Sequence, residues 1–333
     1  MIRVHCFVSC LCESLNKVEG VDQRPFYFGV WDAAFFVAEG HRLAYHSPAV
    51  DQSFFCRWYE ELYGARIEKW YGDGLDKRAN IERLCALVED RPASRKVLVM
   101  LDLFRLPERE NKFNQDPFPH YVMLETTPDS EQWLMSDPDF RWQGVLPKSR
   151  ILDAVASPAV AGGYFFDESR VRAHTDDAVR RYFEVCFREF DNPFTDAIRR
   201  IAVAHLEGRD GVELTGLSAA LREIPVLAIR KYAYEHGLAF FFRELGLDRA
   251  EFDVLCDEVD ELVKAYTTVQ FRAMKLAMSG DHGLAEGLFA LLDQQDAREL
   301  RVKHALGGLF RRWCEQPSAL RRASPSAWVE VQP

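Results

Sequence analysis

The sequence lacks any run of about 18 apolar residues, the length that a helix needs to cross a membrane. The N-terminus also lacks the basic region, apolar stretch and small-residue cleavage site of a secretory signal. We therefore expect a cytoplasmic protein without membrane contacts. Cysteine is scarce, at 8 residues in 333, which excludes a small disulfide-linked scaffold. In a reducing compartment these side chains stay thiols.

Motifs that bind nucleotides are absent as well. The chain has neither a GxxxxGK[ST] phosphate loop nor a dinucleotide-binding fingerprint, which disfavours an ATP-dependent ligase. Basic residues are in the minority, and the net charge of -10 argues against non-specific binding to nucleic acid. The same sign of charge fits a cationic partner or substrate.

The apolar pattern changes near residue 165. Before that point short apolar runs alternate with Pro, Gly and Asp, and residues 96–104 (KVLVMLDLF) predict a buried strand. Residues 120–127 and 132–140 predict two further strands joined by a tight turn. From residue 168 onward the apolar residues recur with the helical period of about 3.6.

These patterns predict an α+β fold in two parts. The first part contains helical patterns in the segments FVSCLCESLNKV and FFCRWYEELYG, the second of which ends on Gly64. We predict an α+β domain at 1–165, an all-helical domain at 166–325 and a tail at 326–333.

Three cysteines lie close together in the segment VHCFVSCLCESL. A cysteine reacts as its thiolate, and a helix N-terminus or a neighbouring imidazole lowers its pKa. Cys6 lies at the predicted start of the first helix, whereas Cys10 and Cys12 lie inside it and are assigned to packing. A zinc site is disfavoured because Cys12 points about 200° away from Cys10 on a helix. We expect no metal.

A histidine and an aspartate lie on the two strands of the predicted hairpin. His120 opens the first strand and Asp137 ends the second. Adjacent antiparallel strands can place the carboxylate beside the imidazole, where it fixes the tautomer and supports the imidazolium. A lone histidine at a strand start is more often structural. The chain order of Cys6, His120 and Asp137 nevertheless suggests a catalytic triad.

Longer segments resemble a known family. VHCFVSCLCESL, VLVMLDLFRLPERENKF, PFPHYVMLE and SDPDFRWQGVL are similar to the N-terminal domain of the butirosin biosynthesis protein H family, which has a papain-like fold. RPFYFGVWDAAF, PFPHYVMLE and VLAIRKYAYEH resemble a branch of that family found in petrobactin siderophore biosynthesis. The family moves an acyl group from a carrier-protein thioester to a cysteine and then to an amine. In the petrobactin branch the acyl group is 3,4-dihydroxybenzoyl and the amine is spermidine.

The resemblance implies a role for each residue of the triad. Cys6 would attack the carrier thioester, His120 would hold its proton and later deprotonate the amine, and Asp137 would orient His120. Many papain-like enzymes place a Gln before the cysteine, but only five residues precede Cys6 here. The Cys6 N–H can supply one oxyanion donor, and His5 or another loop the second. His5 can equally be a structural neighbour of the turn.

The resemblance also implies the partners. An aryl carrier protein would bring the donor on its phosphopantetheine thioester, a polyamine would accept it, and no further cofactor is expected. A polyamine needs spaced carboxylates around its ammonium groups. The candidate substrate contacts are Asp32, Asp102, Glu125, Tyr232 and Glu235. For the acids the alternative is a solvated surface, for Asp102 bonding to the backbone of the next loop, and for the two residues of the later helix an interior polar network.

The basic segment at 298–322 is a candidate docking face for an acidic carrier protein, or an ordinary solvated helix face. The leading hypothesis is a cysteine acyltransferase that forms an amide. A papain-like cysteine peptidase or amidohydrolase would use the same triad with water as the acceptor. A non-catalytic scaffold that binds a carrier protein predicts that Cys6 lies far from His120. The oligomeric state stays open, with a homodimer as one option.

Overall fold

The structure is a computed structural model that describes residues 4–47 and 50–316. The predicted tail at 326–333 lies outside the described residues. Within this part of the chain the β-strands are β1 (Phe36–Ala38), β2 (Arg42–Ala44), β3 (Ile67–Lys69), β4 (Arg95–Asp102), β5 (Pro119–Thr126), β6 (Gln132–Asp137), β7 (Trp142–Pro147) and β8 (Gly163–Asp167).

The α-helices of the described residues are α1 (Cys6–Leu15), α2 (Ser53–Tyr63), α3 (Lys77–Glu89), α4 (Lys148–Ala156), α5 (Asp176–Cys186), α6 (Pro193–Glu207), α7 (Leu217–Ala220), α8 (Ile224–Ala228), α9 (Ala233–Leu245), α10 (Arg249–Ser279) and α11 (Ala285–Glu315). None of these helices is both long enough and apolar enough to span a bilayer. The expected combination of a sheet in the N-terminal region and a helical C-terminal part is confirmed.

The chain forms two compact units. The sheet unit contains residues 4–26 and 51–179, and the helical unit contains residues 27–47 and 180–316. Residues 27–47 therefore belong to the helical unit although they precede every strand of the sheet unit in sequence. The predicted boundary after residue 165 stays a prediction.

The sheet unit is built on six antiparallel strands in the order β3-β8-β4-β5-β6-β7. The strand predicted at 96–104 is β4, whose residues from Lys96 to Asp102 are all buried because strands cover both of its edges and helix α4 packs against it. The predicted hairpin is formed by β5 and β6, with Met123 opposite Ser136. Both predictions are confirmed.

Helix α1 packs on β5, the strand that carries His120. Eight of its ten residues are buried, which fits the dense apolar pattern of its sequence. The Phe7 ring lies 5.1 Å from both Tyr121 and Tyr164. Cys10 and Cys12 are fully buried, and the Cys10 thiol donates to the Tyr121 carbonyl at 3.6 Å. This packing fixes the axis of the helix that begins with Cys6.

Candidate active site

Cys6 is the first residue of α1 and is partly exposed. His5, in extended conformation, precedes it as the N-cap residue, and the Val8 N–H donates to His5 Nδ1 at 3.5 Å. The first amides of a helix have no acceptor within the helix, and the helix dipole makes this end electropositive. Cys6 therefore lies where the helix stabilises a negative charge.

The side chain of His120 is buried beside Cys6. It comes from the second residue of β5 and is 3% exposed. Its Nε2 lies 2.9 Å from Asp137 Oδ1, and its ring is within hydrogen-bonding reach of the Cys6 sulfur. With Nε2 bonded to Asp137, Nδ1 is the nitrogen left for the sulfur. The structure thus brings together all three residues of the predicted triad.

Opposing influences act on the ionisation of His120. Burial is the largest of them and disfavours the imidazolium, but the charge of Asp137, the Cys6 side chain and hydrogen bonds to both outweigh it, so the pKa of His120 is raised well above its ordinary value. Phe140 stacks on the imidazole at 5.0 Å with only 5° between the rings. The ring is therefore held in place and carries a proton at neutral pH.

Asp137 is fully buried and has two cationic partners. Its Oδ1 faces His120, and its Oδ2 accepts from Arg109 Nη2 at 2.7 Å. Burial alone would raise the pKa of Asp137, but His120 and Arg109 lower it below its ordinary value. Arg109 in turn stacks over the Trp142 ring at 4.2 Å. The carboxylate is therefore kept ionised inside the protein.

Sequence reasoning missed Arg109 and a second acid, Asp139. Arg109 lies 28 residues before Asp137, in the loop after β4, and no local pattern pairs the two. Asp139 Oδ1 accepts the His5 N–H at 3.0 Å and the Ser9 hydroxyl at 2.6 Å. The Asp-Pro-Asp sequence at 137–139 could have indicated Asp139, because this second acid lies two residues beyond Asp137, the last residue of β6.

Two of the candidate substrate contacts lie in the sheet unit and are already bonded. Asp102 is 3% exposed and accepts the Phe118 N–H at 2.9 Å and the Ser157 hydroxyl at 3.0 Å, as the backbone alternative expected. Glu125 pairs with Arg91 at 2.8 Å and Lys96 at 3.4 Å. It lies five residues beyond His120 on β5, about 16 Å along the strand.

Asp32, in the helical unit, is a third candidate substrate contact, and two lysines already neutralise its charge. Its side chain is 4% exposed, with Oδ1 2.7 Å from Lys231 Nζ and Oδ2 2.9 Å from Lys303 Nζ. Burial acts to raise the pKa of Asp32, and the two ammonium groups lower it further than burial raises it. Glu299 lies 2.6 Å from Lys231. Asp32 is thus part of a buried ionic network within the helical unit.

The remaining two candidates are half-buried on the same stretch of the helical unit. Tyr232 donates to Asp260 Oδ1 at 2.6 Å. Burial raises the pKa of Glu235 to about 7, and the charge of Asp260 adds to this effect. Glu235 is therefore partly protonated near neutral pH. Their roles as substrate contacts stay predictions.

The basic segment predicted at 298–322 is described as far as residue 316 and forms the end of α11. Several of its cations already have acidic neighbours, as in the pairs of Arg301 with Glu258 at 3.1 Å and Arg311 with Glu189 at 3.3 Å. Its use as a carrier-protein docking face stays a prediction. Among the described residues no group of three or more His, Cys, Asp or Glu side chains is placed to hold a metal ion.

A helix-start cysteine, a buried imidazole and a buried carboxylate together form the type of site found in cysteine-dependent enzymes. Residues 1–171 match the DUF6005 N-terminal domain and residues 177–327 match the DUF6005 C-terminal domain, so the chain belongs to the DUF6005 family. All the triad residues fall within the first match.

The chain is also similar to a protein with a printed function. It is 42% identical over 317 residues to petrobactin synthase of Bacillus anthracis, and the match covers 95% of this chain and 97% of that relative. The resemblance to petrobactin biosynthesis enzymes that the sequence suggested is confirmed. The similarity extends through both the sheet unit and the helical unit.

Proposed function

We propose that this protein is a cysteine-dependent acyltransferase with a papain-like catalytic part. It would transfer a 3,4-dihydroxybenzoyl group from an aryl carrier protein to spermidine, forming an amide in siderophore biosynthesis. The observation that carries the proposal is the contact between Cys6, at a helix N-terminus, and His120, which Asp137 holds. The name of the 42% identical relative supplies the siderophore context.

In the first half-reaction the Cys6 thiolate attacks the carbonyl carbon of the carrier thioester. The raised pKa of His120 keeps an imidazolium, and so the proton that the leaving group needs, beside the sulfur. As the tetrahedral intermediate collapses, the bond to the phosphopantetheine sulfur breaks. The His120 proton passes to that sulfur, and the acyl group stays on Cys6 as a thioester.

In the second half-reaction the neutral imidazole of His120 acts as a base. It takes a proton from the spermidine amine as the nitrogen attacks the acyl-Cys6 carbonyl. The Cys6 sulfur then leaves as a thiolate beside the renewed imidazolium. Asp137 stays bonded to Nε2 throughout, so Nδ1 is the nitrogen that gives and takes the proton in both half-reactions.

Two N–H groups are candidates for stabilising the oxyanion of each tetrahedral intermediate. The Cys6 N–H, at the start of α1, has no acceptor within its helix. Because His5 Nδ1 accepts from the Val8 N–H, the neutral His5 ring carries its proton on Nε2. We assign that N–H as the second donor.

The alternatives make different predictions. A scaffold with a merely buried cysteine predicts a Cys6 distant from His120, and the contact between the two side chains weighs against it. A hydrolase would use the same triad and release free acid. The fate of the acyl group therefore separates hydrolase from transferase.

The proposal is tested by intact-mass analysis after incubation with an aryl-loaded carrier protein. We expect an acyl adduct on the wild type and none on Cys6→Ala. Addition of spermidine should then discharge the adduct as the amide. Equal labelling of both proteins would exclude Cys6 as the nucleophile, and release of free acid alone would indicate a hydrolase.

A further inference from the structure

The four residues at 137–140, which follow the body of β6, hold the ring of His120 from two sides. Asp137 Oδ1 bonds its Nε2 at 2.9 Å, and the Phe140 ring lies parallel to it at 5.0 Å. The Phe140 N–H donates back to Asp137 Oδ1 at 3.3 Å, which ties the two ends of the segment together. The position of the imidazole is thus set by this short segment.

The same segment also holds the helix of the nucleophile. Asp139 Oδ1 accepts the His5 N–H at 3.0 Å and the Ser9 hydroxyl at 2.6 Å. These two donors lie on either side of Cys6 in the first turn of α1. A single carboxylate oxygen therefore fixes the position of the first turn of α1 along the helix axis and its rotation about that axis. This turn carries the Cys6 sulfur.

These bonds do more than cap a helix. His5 already caps α1 through its own side chain, which accepts the Val8 N–H. The carboxylate of Asp139 arrives from a part of the chain 134 residues away from His5. An interaction of this range determines where the helix begins relative to the sheet, which local capping cannot do.

We propose that Asp139 is a positioning residue that sets the distance between the Cys6 sulfur and the His120 ring. Since Asp137 and Asp139 are two residues apart, any shift of the segment moves the imidazole and the helix start together. The inference rests on the proposed nucleophile and base. Its chemical requirement is a hydrogen-bond acceptor at the Oδ1 position, which asparagine also supplies.

The test is the rate at which iodoacetamide alkylates Cys6 in the full-length protein at pH 6, resolved by peptide mass spectrometry. Asp139→Ala should slow this reaction by about tenfold to a hundredfold, because misplacement by about 1 Å has effects of that size. Asp139→Asn should restore the rate to within about threefold of the wild type, since the acceptor is retained. Ser9→Ala removes one of the two bonds and should give an intermediate rate.

Asp129→Ala is the matched control. Asp129 lies in the turn between β5 and β6, is exposed, and accepts the Glu131 N–H at 2.9 Å. Its loss should leave Cys6 alkylation at the wild-type rate. Thermal unfolding followed by circular dichroism shows which variants are folded. If Asp139→Ala does not fold, the comparison of Ser9→Ala and Asp139→Asn with the wild type carries the test.

Two results would overturn the inference. One is alkylation of folded Asp139→Ala protein at the wild-type rate, and the other is alkylation of Asp139→Asn as slow as that of the alanine variant. Failure of the proposed function has a different signature, because alkylation needs no acyl donor. In that case the wild type would form no acyl adduct with the aryl-loaded carrier protein, whatever the alkylation rates of the variants.

Discussion

His120 is a buried base whose neighbours reverse the effect of its burial. Desolvation disfavours its charge, yet Asp137 and Cys6 raise its pKa well above the ordinary value. A raised pKa means that the imidazolium is present at neutral pH and is lost as the pH rises through the raised value. The first half-reaction needs that proton for the leaving thiol.

This gives a prediction for the alkaline side of the pH profile. The single-turnover rate of Cys6 acylation should fall only at a pH above the ordinary histidine range. Asp137→Asn should move this fall to lower pH, because it removes the largest influence that raises the His120 pKa. Stopped-flow or quench measurements across pH test it. An unchanged alkaline limb in Asp137→Asn would show that Asp137 does not tune His120.

Arg109 supports the triad by pairing with a fully buried carboxylate. Its side chain is 5% exposed and that of Asp137 is 0% exposed. Removing Arg109 leaves the buried carboxylate with His120 as its only cationic partner among the two and one oxygen without its charged donor, so Arg109→Met should lower the free energy of unfolding by about 1 to 3 kcal/mol. Urea denaturation at pH 7 measures this loss.

The control for Arg109 is an exposed pair. Arg78 and Glu82 are 88% and 66% exposed, one helical turn apart, so Arg78→Ala should change the free energy of unfolding by less than about 0.5 kcal/mol. Equal losses in the two variants would show that the buried Arg109 pair contributes no more to stability than the exposed pair.

The stability that comes from the lowered pKa of Asp137 depends on pH. It is fully present above the ordinary carboxyl range and is lost as the pH falls through the lowered pKa.

At the level of the elements, the sequence predicted the pieces that carry the triad. The start of α1 at Cys6 and the β5–β6 hairpin follow from local periodicity and turn chemistry. Arg109 and Asp139 could not be predicted in the same way, because each acts on a residue far away in the chain. Such pairings depend on how loops fold over the sheet, which no local pattern records.

The sheet also depends on a glycine. Gly163 begins β8 opposite Val99 of β4, and a Cβ atom there would lie 2.1 Å from the Trp70 ring. The Trp70 indole is itself fixed, since its Nε1 donates to the Leu98 carbonyl at 3.0 Å. The close approach leaves no room for a side chain.

We predict that Gly163→Ala lowers the free energy of unfolding by about 1 to 3 kcal/mol through overpacking. Gly74→Ala is its control, since a Cβ atom at Gly74 meets no other atom within 4 Å. Chemical denaturation of both variants measures the difference. If Gly163→Ala lowers the free energy of unfolding no more than Gly74→Ala does, the Trp70 ring can move away from the added Cβ atom without loss of stability.

For the whole molecule, net charge does not show which carboxylates lack a basic partner within the protein. The acidic balance of -10 suggested spaced carboxylates for a polyamine, but Asp32 and Glu125 each face two basic side chains. A sequence shows how many acids are present and does not show which of them are already neutralised. Cys6, His120 and Asp137 were easier to place beside one another, because a helix start and a hairpin can both be predicted from local patterns.

Transfer through Cys6 is tested most directly by comparing two rates. The acyl-enzyme is prepared with the aryl-loaded carrier protein and located by peptide mapping, and spermidine is then added in a rapid-quench instrument. We predict that acyl-Cys6 disappears at the rate at which the amide appears, that this rate is at least the steady-state turnover, and that Cys6→Ala forms neither species. Amide formation by Cys6→Ala at the wild-type rate would contradict the mechanism.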